Sequence, residues 1–165
     1  MAKRTDYYVY YSDGRPTRVA KIEDGCCAYG WENGRWVSMP GLIKIRFEIT
    51  DYEEITREDV LRLVMVQRLH ELNLGKPNGF VYYVKAGNTE ERAMLLDFLE
   101  KEGFKYETDR DENLYSRFPL KVNIFEKTID HLENVTCAAC SADYHLSVEE
   151  FDEIYRYWEK VKKKI

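Results

Sequence analysis

Residues 7–37 read YYVYYSDGRPTRVAKIEDGCCAYGWENGRWV, and three dipeptides divide the stretch: Asp13-Gly14, Asp24-Gly25 and Asn33-Gly34. Asp-Gly and Asn-Gly tolerate the positive φ angles that tight hairpin turns demand. The segments between them, 7–12, 18–23, 26–31 and 35–37, are rich in Tyr, Val, Ile and Trp. The spacing predicts an antiparallel β-meander. Trp31 and Trp36 flank the third turn closely enough to pair across it. They serve either as the roof of a small core, the preferred reading, or as an aromatic interaction surface. Cys26 and Cys27 are adjacent in the third predicted strand, so alternation sends one thiol into the core and the other outward.

Downstream, Ile43, Ile45, Phe47 and Ile49 alternate with charged residues, which predicts a strand over 42–49. Leu42, Ile45 and Ile49 also fit a helical stripe. Thr56, with Asp59 three residues on, opens a helix that runs to Leu74 and stops at Gly75, with Pro77 beyond. Residues 80–85 read as a strand. A helix over 90–102 follows, capped by Thr89 and ended by Gly103, and a strand over 104–107 completes a β-α-β unit with parallel strands. A polar loop spans 108–113. Further strands are expected over 114–118, 120–125 and 128–132, and Pro119 forbids a continuous central strand. Ser147 and Glu150 form a capping box for a last helix, whose inner face is Val148, Phe151, Ile154, Tyr155 and Trp158.

The fold class is therefore α+β. An N-terminal antiparallel β-meander plus helix covers 1–75, and a β-α-β-containing C-terminal unit ending in a helix covers 78–165. The linker is short enough for the two to pack as one body.

Of the 165 residues, 44% are hydrophobic and 33% charged, the balance of a globular chain rather than a disordered one. Thirteen Tyr suit half-buried sheet faces. The formal charge is −5, and −8 without the last seven residues, which hold four Lys and one Glu. No basic surface for a nucleic-acid backbone is expected. Lys160, Lys162, Lys163 and Lys164 read as a solvated helix end opposing the helix dipole. No run of 18 apolar residues predicts a membrane span, and the first residues hold no secretory leader. Four Cys without such a leader predict reduced thiols in the cytoplasm.

The densest chemistry lies at His131, Cys137, Cys140 and His145. Two thiols and two imidazoles are the ligand types that tetrahedral Zn²⁺ prefers, and C-x-x-C presents two sulfurs to one ion. The spacing H-x5-C-x2-C-x4-H matches no common zinc finger, and buried structural thiols are the preferred reading. Val135-Thr-Cys-Ala-Ala-Cys140 is similar over six residues to the metal-binding loop of heavy-metal-associated domains. There the loop follows the first strand, whereas here it precedes the last helix, so no function is carried over. A redox pair wants its first Cys at a helix N-terminus, but the helix cap lies at Ser147. The acidic pairs Glu53-Glu54, Glu90-Glu91 and Glu149-Glu150 sit beside predicted helix starts, where the dipole favours them. No G-x-S-x-G elbow, Walker loop or G-x-G-x-x-G is present.

Three functions follow, in order of preference. The first is a non-catalytic protein-interaction or regulatory module with another protein as partner. The second is a zinc-stabilised adaptor or inhibitor using His131, Cys137, Cys140 and His145. The third is a thiol-dependent enzyme. No cofactor is expected under the first, and zinc under the second.

Overall fold

Each of the three turn dipeptides reverses the chain. Asp13 and Gly14 take φ of 52° and 73°, Asp24 and Gly25 51° and 72°, Asn33 and Gly34 50° and 77°. Both central residues are left-handed in every case, the geometry whose twist matches paired strands. The strands they join are β1 (Thr5–Ser12), β2 (Arg15–Glu23), β3 (Cys27–Glu32) and β4 (Arg35–Ser38). This computed structural model describes residues 3–47, 51–74, 79–107, 119–131 and 145–165. The chain divides into two units, Met1–Val64 with Glu159–Ile165, and Met65–Trp158.

In the first unit the sheet order is β4-β3-β2-β1-β5, antiparallel throughout. The register slips between Tyr10 and Tyr11, beside Pro16, which has no N–H to give to the ladder. The fifth strand, β5 (Tyr52–Ile55), pairs with β1 and is absent from the sequence reading. It is four residues long, and its exposed Glu53 and Glu54 suit a sheet edge, where charge discourages further pairing. Those two acids therefore belong to a strand and not to a helix start.

Alternation puts Tyr8, Ala20, Ile22, Ala28 and Gly30 on one face, and Val9, Val19 and Trp31 on the other. Over the first face lies a 3-10 helix, Pro40–Arg46, where a strand over 42–49 is expected. The physical reason is tertiary. Ala20, Ala28 and Gly30 leave a shallow trough, and Leu42, Ile43, Ile45 and Met39 fill it. With three residues per turn, Leu42 and Ile45 fall on one side. Phe47, which the strand reading would bury, is 76% exposed. A Cβ at Gly30 would stand 2.6 Å from the Met39 Sδ.

Cys26 lies in the second turn and β3 starts at Cys27, so strand alternation does not separate the two side chains. Both thiols are exposed, and neither enters the core. Helix α1 (Arg57–Glu71) begins as expected. The Thr56 hydroxyl accepts from the Asp59 N–H, and the Asp59 carboxylate accepts from the Thr56 N–H, both at 3.1 Å. The helix stops at Glu71, short of the expected Leu74. Asn73 takes φ of 55°, and the Leu74 N–H bonds the Leu69 carbonyl, a left-handed cap that needs no Gly.

The second unit holds β6 (Val81–Val84), α2 (Thr89–Lys101), β7 (Lys105–Tyr106), β8 (Leu120–Asn123), β9 (Thr128–His131), β10 (His145–Leu146) and most of α3 (Val148–Val161). Its sheet order is β10-β6-β8-β9-β7. Strands β6, β8 and β9 run antiparallel in turn, while β7 lies parallel to β9 and β10 parallel to β6. The β6-α2-β7 unit thus has parallel strands, with β8 and β9 inserted between them. The cap of α2 is Asn88, not Thr89: its side chain accepts from the Glu91 N–H at 2.8 Å. The Ser147–Glu150 capping box is made in both directions, at 2.9 and 3.1 Å.

Tyr82, Val84, Leu120, Val122, Ile129 and Leu146 are buried, and so are Leu95 and Leu99 of α2 and Phe151, Ile154, Tyr155 and Trp158 of α3. Rings join these layers edge-on. Tyr82 meets Phe151 at 6.3 Å and Phe98 meets Tyr155 at 5.7 Å. The Tyr82 hydroxyl donates to the Gly79 carbonyl at 2.6 Å, and burial pushes its pKa far up. The loop over 108–113 and the strand expected over 114–118 lie outside the described residues.

Candidate functional site

Helix α2 carries two apolar stripes. Leu95 and Leu99 are buried, whereas Met94 is 73% exposed. Glu91, Met94, Leu95 and Phe98 follow the spacing i, i+3, i+4, i+7 and share one side of the helix. Facing them from the first turns of α3 are Val148, Glu149 and Asp152. Together these seven residues line a groove of about 290 Å³. Its apolar lining is Leu95, Phe98 and Val148 with the exposed Met94 above them, and Glu91, Glu149 and Asp152 add three carboxylates.

The acids stand there because both helices begin at this end. Glu90 and Glu91 occupy the first turn of α2, and Glu149 and Glu150 that of α3. The positive end of each dipole stabilises them. Glu150 is used in the capping box. Asp152 pairs with Arg156 one turn on, at 2.9 Å, an exposed pair worth little. Among the described residues, Glu91 and Glu149 have no ion-pair partner. The acids therefore set a local negative field beside an apolar lining.

The residues singled out from the sequence lie elsewhere. His131 ends β9, where it is partnered with Leu120. His145 starts β10, where it is partnered with Tyr83. Strands β8 and β6 lie between, so the two histidine backbones are three inter-strand steps apart, about 14 Å. Cys137 and Cys140 lie outside the described residues. Tyr83 is in turn partnered with Lys121, and Lys121 with Asp130, so His145 heads a polar row across the sheet. Among the described residues, no three His, Cys, Asp or Glu side chains gather as a metal site.

In the first unit, Trp31 is 8% exposed and meets Trp36 edge-on at 5.1 Å. The Trp36 ring also lies under the Lys21 ammonium, at 4.9 Å. Both rings are engaged by neighbours within their own unit. Met94 and Phe98, by contrast, carried no functional reading. The available signal was width: Ala93, Met94, Leu95, Leu96, Phe98 and Leu99 cover more of the helix than one buried face requires.

No family model, no curated protein and no solved structure matches this chain. Among the described residues, no helix is long and apolar enough to cross a membrane.

Proposed function

We propose that this chain is a non-catalytic protein-interaction module, and that the α2–α3 groove takes a cationic segment of another protein carrying one large apolar side chain. The observation that carries the reading is Met94, exposed above Leu95, Phe98 and Val148 in a groove that also holds three carboxylates. A thioether is flexible and polarizable, and adapts to differently shaped apolar partners. The acids add charge complementarity, which steers encounter and rejects anionic partners.

The test uses a labelled amphipathic Leu/Lys peptide as probe, with a Leu/Glu peptide as control. Methyl-labelled methionine gives four resonances to watch. The Met94 methyl shifts on adding the Leu/Lys peptide and not the control, and binding weakens as salt screens the acids. The double variant Glu91→Lys with Glu149→Lys loses about tenfold in affinity, equivalent to 1.4 kcal/mol. Equal binding of both peptides, or a Met94 methyl that stays put, would end this reading.

A further inference from the structure

Cys26 and Cys27 are the free thiols of the first unit, and both are exposed. Their Sγ atoms are 3.6 Å apart. The β2–β3 turn sets that distance. Asp24 and Gly25 are left-handed, and the Cys26 N–H bonds the Glu23 carbonyl at 3.1 Å. Cys26 therefore stands in the turn while Cys27 enters the strand, and the two side chains come to one side.

We propose that Cys26 and Cys27 form a two-thiolate chelate for a thiophilic divalent cation of tetrahedral habit, with Zn²⁺ as the fitting size. Two sulfurs each about 2.3 Å from one tetrahedral ion lie about 3.8 Å apart. The observed 3.6 Å needs only a small rotation about the side-chain bonds. On binding, each thiol gives up its proton to solvent and donates a sulfur lone pair to the ion, with no change of oxidation state. The surroundings favour a cation. The Asp24 carboxylate, close enough to act on Cys26, adds a negative charge that a metal ion offsets. The nearby Arg46 guanidinium is engaged by Asp6 at 3.4 Å. The hairpin supplies two ligands, so two coordination positions stay open for water or for donor atoms from another molecule. The proposal rests on the hairpin alone and is independent of the groove.

Per-residue alkylation of the native chain tests it. The protein is kept reduced with a phosphine and treated with iodoacetamide with and without Zn²⁺, and peptide masses report each cysteine separately. Zn²⁺ slows alkylation of Cys26 and Cys27 together, by at least about tenfold, a 1.4 kcal/mol effect, and EDTA restores both rates. In Cys27→Ser, which alters an exposed side chain, Zn²⁺ no longer protects Cys26. Unchanged rates at both cysteines refute the chelate. So does protection of Cys26 that persists undiminished in Cys27→Ser.

Discussion

The Trp36 indole Nε1 donates to the carbonyl of Lys164 at 2.9 Å, across 128 residues of chain. Beside it, the Tyr7 hydroxyl donates to the Ile165 carbonyl at 3.2 Å. Arg57 donates through Nε to Ile165 and through Nη2 to Lys162, both at 3.1 Å. The Lys164 ammonium reaches the Gly34 carbonyl in the third turn. Lys160, Lys163 and Lys164 are exposed, as a solvated helix end requires, and the segment is also held through its main chain by Trp36, Tyr7 and Arg57. Its four lysines are incidental to most of these contacts, so composition does not reveal them.

Replacing Trp36 with Phe keeps a ring under Lys21 but removes the donor to Lys164. The expected loss is about 1 kcal/mol, the net value of one hydrogen bond. Urea unfolding should show a lower midpoint with an unchanged slope. Tyr7→Phe should act in the same direction, and the double variant should depart from additivity because the acceptors are neighbours.

Gly30→Ala places a methyl 2.6 Å from the Met39 sulfur. The Met39 thioether must shift, and because it is the end of a flexible side chain the cost falls at the low end of overpacking, about 1 kcal/mol. Adding Met39→Ala relieves the clash, so the second substitution costs less in the Gly30→Ala background than in the native one. A double-mutant cycle on thermal unfolding reads the coupling. Additive effects would show that Met39 does not set the requirement for glycine.

Acid sensitivity should trace in part to Asp59. The Thr56 hydroxyl and N–H both donate to its carboxylate and hold its pKa below the ordinary 3.8. The folded value is the lower one, so the ionised form contributes stability above the unfolded pKa. That contribution is lost as pH falls through the folded pKa. Asp59→Asn should therefore be less stable than native near pH 7, with the gap narrowing as pH falls below the ordinary 3.8. A gap that stays equal over that range would exclude this linkage.

Neighbouring residues of α2 should separate packing from surface. Leu95→Ala empties a buried position and costs about 2–5 kcal/mol. Met94→Ser alters a side chain already mostly in water and shifts stability by about 0.5 kcal/mol or less. If Met94→Ser destabilises as strongly as Leu95→Ala, Met94 is a core residue and the groove loses its anchor.

Local chemistry was legible wherever it acts through neighbours in sequence. Asp-Gly and Asn-Gly specify hairpins because backbone sterics at those residues suffice. Thr56 with Asp59, and Ser147 with Glu150, announce helix starts because each box closes over three residues. The face Phe151, Ile154, Tyr155 and Trp158 follows from helical period, and all four are buried. The α2 cap was misplaced by one residue, since Asn88 and Thr89 are both good caps and only the observed backbone chooses between them.

The groove was less legible. Its acids were seen and assigned to helix dipoles, which accounts for their stability but not for their convergence. Its apolar residues merged with the core stripe. Only the packing of α2 and α3 on one sheet places Met94 and Phe98 opposite Val148 and Glu149.

What the sequence by itself determined is the set of turns, the two capping boxes, the inner face of the last helix and the α+β class. These depend on backbone preference and periodicity, which act over a few residues. Tertiary structure alone decided that residues 40–46 coil rather than extend, that β8 and β9 part β6 from β7, that β1 acquires β5, and that the last residues bond to the meander. Each is a choice among local conformations of similar energy. Apolar burial and hydrogen-bond partners far along the chain settle such choices, and no short window of sequence contains them.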